Sequence, residues 1–210
     1  MENYYTEFAA AYARGKMNLD PHCSDEEALG QARSTGLRLH RFKRSSQLPR
    51  VRKVLGALHG LAPQSLLDLG TGRGVFLWPL LDEFPELPVT CVDSLDYRVA
   101  DLQAVARGGL TRLQAHLANL EALPFADSQF PVVTMLEVLE HTSDPQRALA
   151  EVCRVTGQAL LLSVPSQPDD NPEHLHLFRA EQLRDWLTKL GLTRVKLDGV
   201  LNHLVVLAQR

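Results

Sequence analysis

Cysteine is scarce and scattered: Cys23, Cys91 and Cys153 form no CxxC pair in 210 residues, so neither a disulfide framework nor a cysteine-held metal is expected. The thiols read as small buried hydrophobes. Long apolar runs are missing too. No stretch reaches the roughly 18 apolar residues of a membrane span, and the opening MENYYTEFAAAYARGK lacks the basic-then-apolar order of an export leader. A cytoplasmic protein with no membrane span is the expectation. Internal repeats and low-complexity segments are also lacking, while 45% hydrophobic residues suffice for a substantial core in one domain with a small appendage. The last absence is local. Between Glu27 and Asp68 there is no acidic residue but eight basic ones: Arg33, Arg38, Arg41, Lys43, Arg44, Arg50, Arg52 and Lys53. The net charge of −3 therefore leaves −11 on the rest of the chain, which predicts a positive side on a negative body.

What is present divides at about residue 47. Residues 1–47 read as a helical, basic extension in which Tyr4, Tyr5, Phe8 and Tyr12 can line one helix face. Such a stripe either docks the helix on its own domain or closes over a cleft. Residues 48–210 read as the main domain. "LPRVRKVLGALHGL" predicts a helix that starts at Pro49, ends near Gly60 and carries Arg50, Arg52 and Lys53 near its outer side. Short apolar strands then alternate with helices. The strands are "SLLDLG", "PVTCVD", "TRLQAH", "FPVVTMLEV" and "QALLLSVP"; the helices lie in "RGVFLWPLLDEF", "DYRVADLQAVARGG" and "QRALAEVCRV". After the amphipathic "RAEQLRDWLTKLG", with Leu183, Trp186, Leu187 and Leu190 inward, come "TRVKLDGV" and "HLVVLAQR". They are too close together for a crossover helix and must form an antiparallel hairpin. The predicted fold is α/β: a doubly wound, seven-stranded, mostly parallel sheet that finishes with one antiparallel strand.

In "LLDLGTGRGVF", Gly70, Gly72 and Gly74 alternate directly after the first strand. Glycines there let the backbone turn tightly and approach a ligand. The third glycine is misplaced for a nicotinamide fingerprint, and the Gly-Lys-Ser/Thr ending of a P-loop is absent. From about residue 50 to the end, the sequence resembles the class I S-adenosylmethionine-dependent methyltransferases, a Rossmann-like family. The resemblance implies that Asp68, Gly70, Thr71, Gly72 and Gly74 surround the amino-acid part of S-adenosylmethionine. It also implies that Asp93, 23 residues after Gly70, accepts hydrogen bonds from the ribose hydroxyls beside Ser94. Asn119 and Leu120 match the adenine-facing stretch, with Asn119 where Asp is usual. Glu137 matches a cofactor-contacting or catalytic position. Asp68 either touches the ligand or bonds to amides of the glycine loop. Pro131 replaces a common Asp and is tolerable where a strand needs no donor.

Methyl transfer requires a nucleophile aligned beyond the carboxyl ends of strands four and five, and a proton acceptor if the nucleophile is an alcohol. "EVLEH" brings Glu137, Glu140 and His141 to that edge, and "NPEHLHLF" adds Glu173, His174 and His176. His141, His176 and Glu137 are the candidate catalytic residues. The expected activity is methylation of an oxygen or nitrogen on a small or nucleotide-like substrate. The same residues also resemble the metal site of small-RNA 3'-terminal 2'-O-methyltransferases, which implies Glu137, Glu140, His141 and His176 as ligands of a divalent metal and RNA as the substrate. Basic residues 33–53 are suited to steering RNA. A third reading is a non-catalytic, cofactor-binding regulatory protein.

Overall fold

A computed structural model describes residues 4–44 and 47–210. The helices are α1 (Thr6–Met17), α2 (Asp25–Ser34), α3 (Pro49–Leu61), α4 (Leu77–Glu83), α5 (Asp96–Arg107), α6 (Pro145–Val155) and α7 (Ala180–Lys189). The strands are β1 (Leu66–Leu69), β2 (Val89–Asp93), β3 (Leu113–Leu117), β4 (Phe130–Leu136), β5 (Thr156–Pro165), β6 (Arg194–Val200) and β7 (His203–Gln209). They form one mostly parallel sheet in the order β3-β2-β1-β4-β5-β7-β6. Two compact units share it: residues 1–47 with 71–117, and 48–70 with 118–210.

In the first unit β2 and β3 pair in parallel, Val89 opposite Leu113. The N-terminal helices are part of this unit's core. On α1, Phe8 and Tyr12 join Tyr5, Phe42 and Trp78 in an aromatic cluster whose ring centroids lie 4.8 to 5.9 Å apart. The aromatic stripe is thus used for docking. Gly15 and Gly108 let α1 and α5 approach backbone to backbone: a Cβ on Gly15 would lie 1.8 Å from the Ala104 carbonyl, and one on Gly108 equally close to that of Ala11. Nearby, buried Asp101 accepts from the Tyr12 hydroxyl (3.1 Å), Lys16 Nζ (2.9 Å) and Arg41 Nη1 (2.6 Å). Burial alone would raise its pKa, but the Lys16 hydrogen bond, the Arg41 and Lys16 charges and the Tyr12 hydrogen bond together lower it. Helix α4 begins at Leu77, four residues later than "RGVFLWPLLDEF" suggests, because Gly74 takes φ +82°, outside the helical region.

In the second unit α3 buries Val51, Val54, Leu55 and Leu58. It runs past Gly60 to Leu61 and stops where Ala62 turns left-handed at φ 44°. β4 pairs in parallel with β1 and β5, and a register shift between Phe130 and Val132 accommodates Pro131. β7 is antiparallel to both β5 and β6, as the short connection requires. Asp144 caps α6, accepting from the Arg147 amide at 3.0 Å. On α7, Leu183 and Leu187 are fully buried, whereas Trp186 and the C-capping Leu190 are half-buried. Cys91 and Cys153 are buried and Cys23 partly so, and none is in a disulfide.

The basic segment is less free than its composition suggests. Arg41 pairs with Asp101, Arg44 with Asp82, Arg50 with Glu137 and Lys53 with Asp198. Sequence distance hid these acids, and the block does not stand as eight unpaired charges. Arg50 is correspondingly turned inward from the outer side of α3, its side chain only 20% exposed.

Candidate functional site

In the first unit the glycine loop and the end of β2 are tied together. The Asp93 side chain, 3% exposed, accepts from the Gly72 amide through Oδ2 (2.8 Å) and from the Leu95 amide through Oδ1 (3.0 Å). Arg98 Nη1 stands 3.5 Å from the same Oδ2. Each carboxylate oxygen has two lone pairs, so acceptor capacity remains on both. Thr71 is buried and its amide donates to the Val92 carbonyl at 3.3 Å, whereas Ser94 is exposed. A Cβ on Gly74 would lie 2.3 Å from Trp78 Nε1, so the protein's own indole requires that glycine.

In the second unit the same requirement falls on Gly70, with φ +67° and Val138 only 2.4 Å from where a Cβ would be. Asp68, 3% exposed, accepts from the Thr134 hydroxyl at 2.7 Å, a partner on β4 that sequence reasoning did not name. Asn119 is exposed and its Oδ1 accepts from the Glu121 amide at 3.0 Å, closing an Asx turn; Leu120 is half-buried.

Glu137 stands one residue past β4 with φ 56°, a strained backbone for a residue other than glycine. Its amide donates to the Ser163 carbonyl at 2.9 Å. Its side chain accepts from the Ser163 hydroxyl (2.6 Å) and pairs with His203 Nε2 (3.0 Å), with Arg50 Nε at 3.7 Å. These partners were missed. One signal was available: the first residue of an antiparallel strand lies at the carboxyl edge of its parallel neighbour, and His203 is opposite Pro165, the last residue of β5.

Glu140 is fully buried, and neither carboxylate oxygen has a hydrogen-bond partner among the described residues. Burial, aided by the nearby Glu137 charge, pushes its pKa up to about 8. Ligand atoms of Glu140, His141 and His174 lie within 4.8 Å of one another. This grouping contains two of the four residues expected as metal ligands, Glu140 and His141. Glu140 and His141 are joined by His174 instead of His176, and Glu137 is engaged by Ser163, His203 and Arg50. The reason is the fold of 171–178: the Leu175 amide donates to the Glu140 carbonyl at 2.9 Å, while His176 Nε2 is used 2.9 Å from the Thr142 carbonyl.

A carbonyl can only accept, so these contacts settle two tautomers. His141 donates through Nδ1 to the Glu173 carbonyl (2.9 Å), which leaves Nε2 as the basic nitrogen; His176 donates through Nε2, which leaves Nδ1. His174 Nδ1 lies 2.8 Å from Asp169 Oδ2.

The sequence model of a family described as a methyltransferase domain matches residues 67–159. The chain is 34% identical over 99 residues to a malonyl-[acyl-carrier protein] O-methyltransferase of Geobacter sulfurreducens, covering 46% of this chain and 36% of that protein. It is 31% identical over 123 residues to a demethylmenaquinone methyltransferase of Renibacterium salmoninarum, covering 58% and 49%. The chain thus spans about half or less of the length of these relatives. Magnesium protoporphyrin IX methyltransferase from Synechocystis, solved with bound SAH, superposes with a TM-score of 0.62 at 17% identity over 76% of this chain and 81% of that one. Sequence match and sheet order agree: residues 67–159 match a methyltransferase domain, and the sheet has the fold of the class I S-adenosylmethionine-dependent methyltransferases.

Proposed function

We propose that the protein transfers the methyl group of S-adenosylmethionine to an oxygen or nitrogen of a small or nucleotide-like acceptor. One observation carries the reading: a buried carboxylate at the end of β2, bound to the glycine-loop amide yet with lone pairs to spare. That donor set fits the cofactor. Asp93 would accept from the ribose hydroxyls, the backbone of Gly70, Thr71, Gly72 and Gly74 would line the amino-acid end with Asp68 behind it, and Ser94, Asn119 and Leu120 would flank the base. When bound, the cofactor supplies an activated methyl group. The chain's own task is to orient the acceptor, exclude water and take up a proton. His141 Nε2 and His176 Nδ1 are the proton acceptors in this reading, while Glu137, already held by Ser163 and His203, positions the edge of the sheet.

Calorimetric titration should show S-adenosylmethionine binding to the free protein, and a methyl-transfer screen over RNA, quinone and small-alcohol pools should find the acceptor. Nicotinamide dinucleotide binding without S-adenosylmethionine binding would overturn the cofactor. Cofactor binding without transfer to any pool would favour a regulatory role. The reading includes a cytoplasmic location.

A second reading is favoured by Glu140. A fully buried acid with two unpartnered oxygens either keeps a proton or meets a cation, and His141 and His174 stand beside it, the latter oriented by Asp169. This set suits a divalent ion with nitrogen and oxygen ligands, as a metal-dependent RNA ribose 2'-O-methyltransferase would need. Added Mn²⁺ or Co²⁺ at about 100 times its dissociation constant should stabilise the wild type by about 2.7 kcal/mol and leave Glu140→Gln unchanged. Equal melting of the two proteins, with full activity in chelator, would remove this reading.

A further inference from the structure

The first unit contains a cleft of about 880 Å³, within the size range of small-ligand sites. Lys16, Arg38, His40, Arg41, Arg73 and Arg98 line it, and Asp101 is its one lining carboxylate. Asp101 is already taken by Lys16 and Arg41. Arg38 and Arg73 have no acidic partner among the described residues, and Arg98 has only a 3.5 Å approach to Asp93 while its buried Nε lacks any partner. Five cationic side chains thus face one carboxylate, an excess of about four positive charges carried mostly by arginine, whose planar fork matches phosphate oxygens bidentately. Gly72 is also in the lining, so the cleft reaches the loop assigned to the cofactor. Tyr97, 57% exposed, offers a ring face to a planar group, with Arg98 Cζ 5.8 Å from its centroid.

We propose that this cleft binds the phosphate group of a small phosphorylated methyl acceptor. The proposal rests on the methyltransferase reading and narrows its substrate class. Arg38, contributed by the N-terminal segment, gives that segment a role in selecting the acceptor in addition to its part in the core.

Inorganic pyrophosphate is the probe, titrated at low salt in the presence and absence of S-adenosylmethionine. The wild type should bind it, with affinity falling as salt rises. Arg38→Glu is an exposed change that spares the glycine loop; it should weaken pyrophosphate about tenfold or more and leave S-adenosylmethionine affinity unchanged. Arg73→Gln provides a second variant on the other wall of the cleft and should weaken pyrophosphate as well. No pyrophosphate binding by protein that binds S-adenosylmethionine, or binding indifferent to both variants, would overturn the proposal and leave the methyltransferase reading standing. Pyrophosphate that displaces S-adenosylmethionine would overturn it too, because the cleft would then be the cofactor's own. Single-stranded RNA whose affinity grows with length and resists pyrophosphate would replace a small acceptor with a polymer. Pyrophosphate binding without any S-adenosylmethionine binding would instead remove the methyltransferase reading.

Discussion

Asp93 and Glu140 follow the same architectural rule and meet opposite treatment. Both are buried acids at or just past the carboxyl end of a strand, 3% and 0% exposed. Asp93 receives two backbone amides, whereas Glu140 receives no donor from the described residues and its pKa rises to about 8. Burial raises the Glu140 pKa, and what separates the two buried acids is the hydrogen-bond donors that meet them. A satisfied carboxylate is ready to accept a neutral ligand's hydroxyls. An unsatisfied one is a place for a proton or a cation.

The largest expected effect tests the Glu140 side of this contrast. Its folded pKa lies above the unfolded value, so between about pH 4.5 and about 8 the folded protein keeps a proton that the unfolded chain has released. This contribution to stability is fully present below that window and is lost as pH rises through it, at up to about 1.4 kcal/mol per pH unit. Denaturant unfolding at several pH values should show the decline in the wild type, while Glu140→Gln, neutral throughout, should lack that component. Parallel pH profiles for the two proteins would break the comparison.

The Asp93 side is tested by ligand instead of pH. Asp93→Ala removes acceptors for the ribose and should weaken S-adenosylmethionine by about 1.5 to 3 kcal/mol, in the range of hydrogen bonds to charged groups. Glu140→Gln should leave that affinity within about twofold of wild type, a difference under about 0.5 kcal/mol. Equal losses in the two variants would mean that the acids do not divide their tasks this way.

An exposed acid extends the series to its weak end. Asp82 pairs with Arg44 at 2.6 Å, but the two side chains are 43% and 42% exposed. Water already serves both, so Arg44→Met should cost only about 0 to 1 kcal/mol in chemical denaturation. Arg44 also lies 4.2 Å from the Tyr5 ring centroid, and methionine retains part of that contact. A loss of several kcal/mol would show that exposure is a poor guide to the worth of these pairs.

Element order, the hairpin and the docking of α1 were legible because each rests on a local pattern: apolar periodicity, a connection too short for a helix, aromatics at helical spacing. The start of α4 was less legible, since "RGVF" has an acceptable helical composition and the obstacle is the conformation of Gly74 beside Trp78. The glycine loop was found, but two of its glycines prove to be required by the protein's own side chains, Gly70 by Val138 and Gly74 by Trp78. Glu140 and His141 were picked out by their motif. Their companion His174 instead of His176 depended on how 171–178 is pinned by the Leu175 amide.

Local residue order was sufficient for the sheet, for the glycine loop and for the acid that ends β2, because these are set by contacts and conformations within a few residues of each other. Only the folded chain could decide the partners: Thr134 for Asp68, Ser163, His203 and Arg50 for Glu137, and none among the described residues for the Glu140 oxygens. Those pairings join residues 26 to 87 positions apart. Hydrogen bonding and desolvation act through space over a few ångströms, so whether a buried acid is satisfied, protonated or ready for a cation is a property of its surroundings and not of its place in the chain.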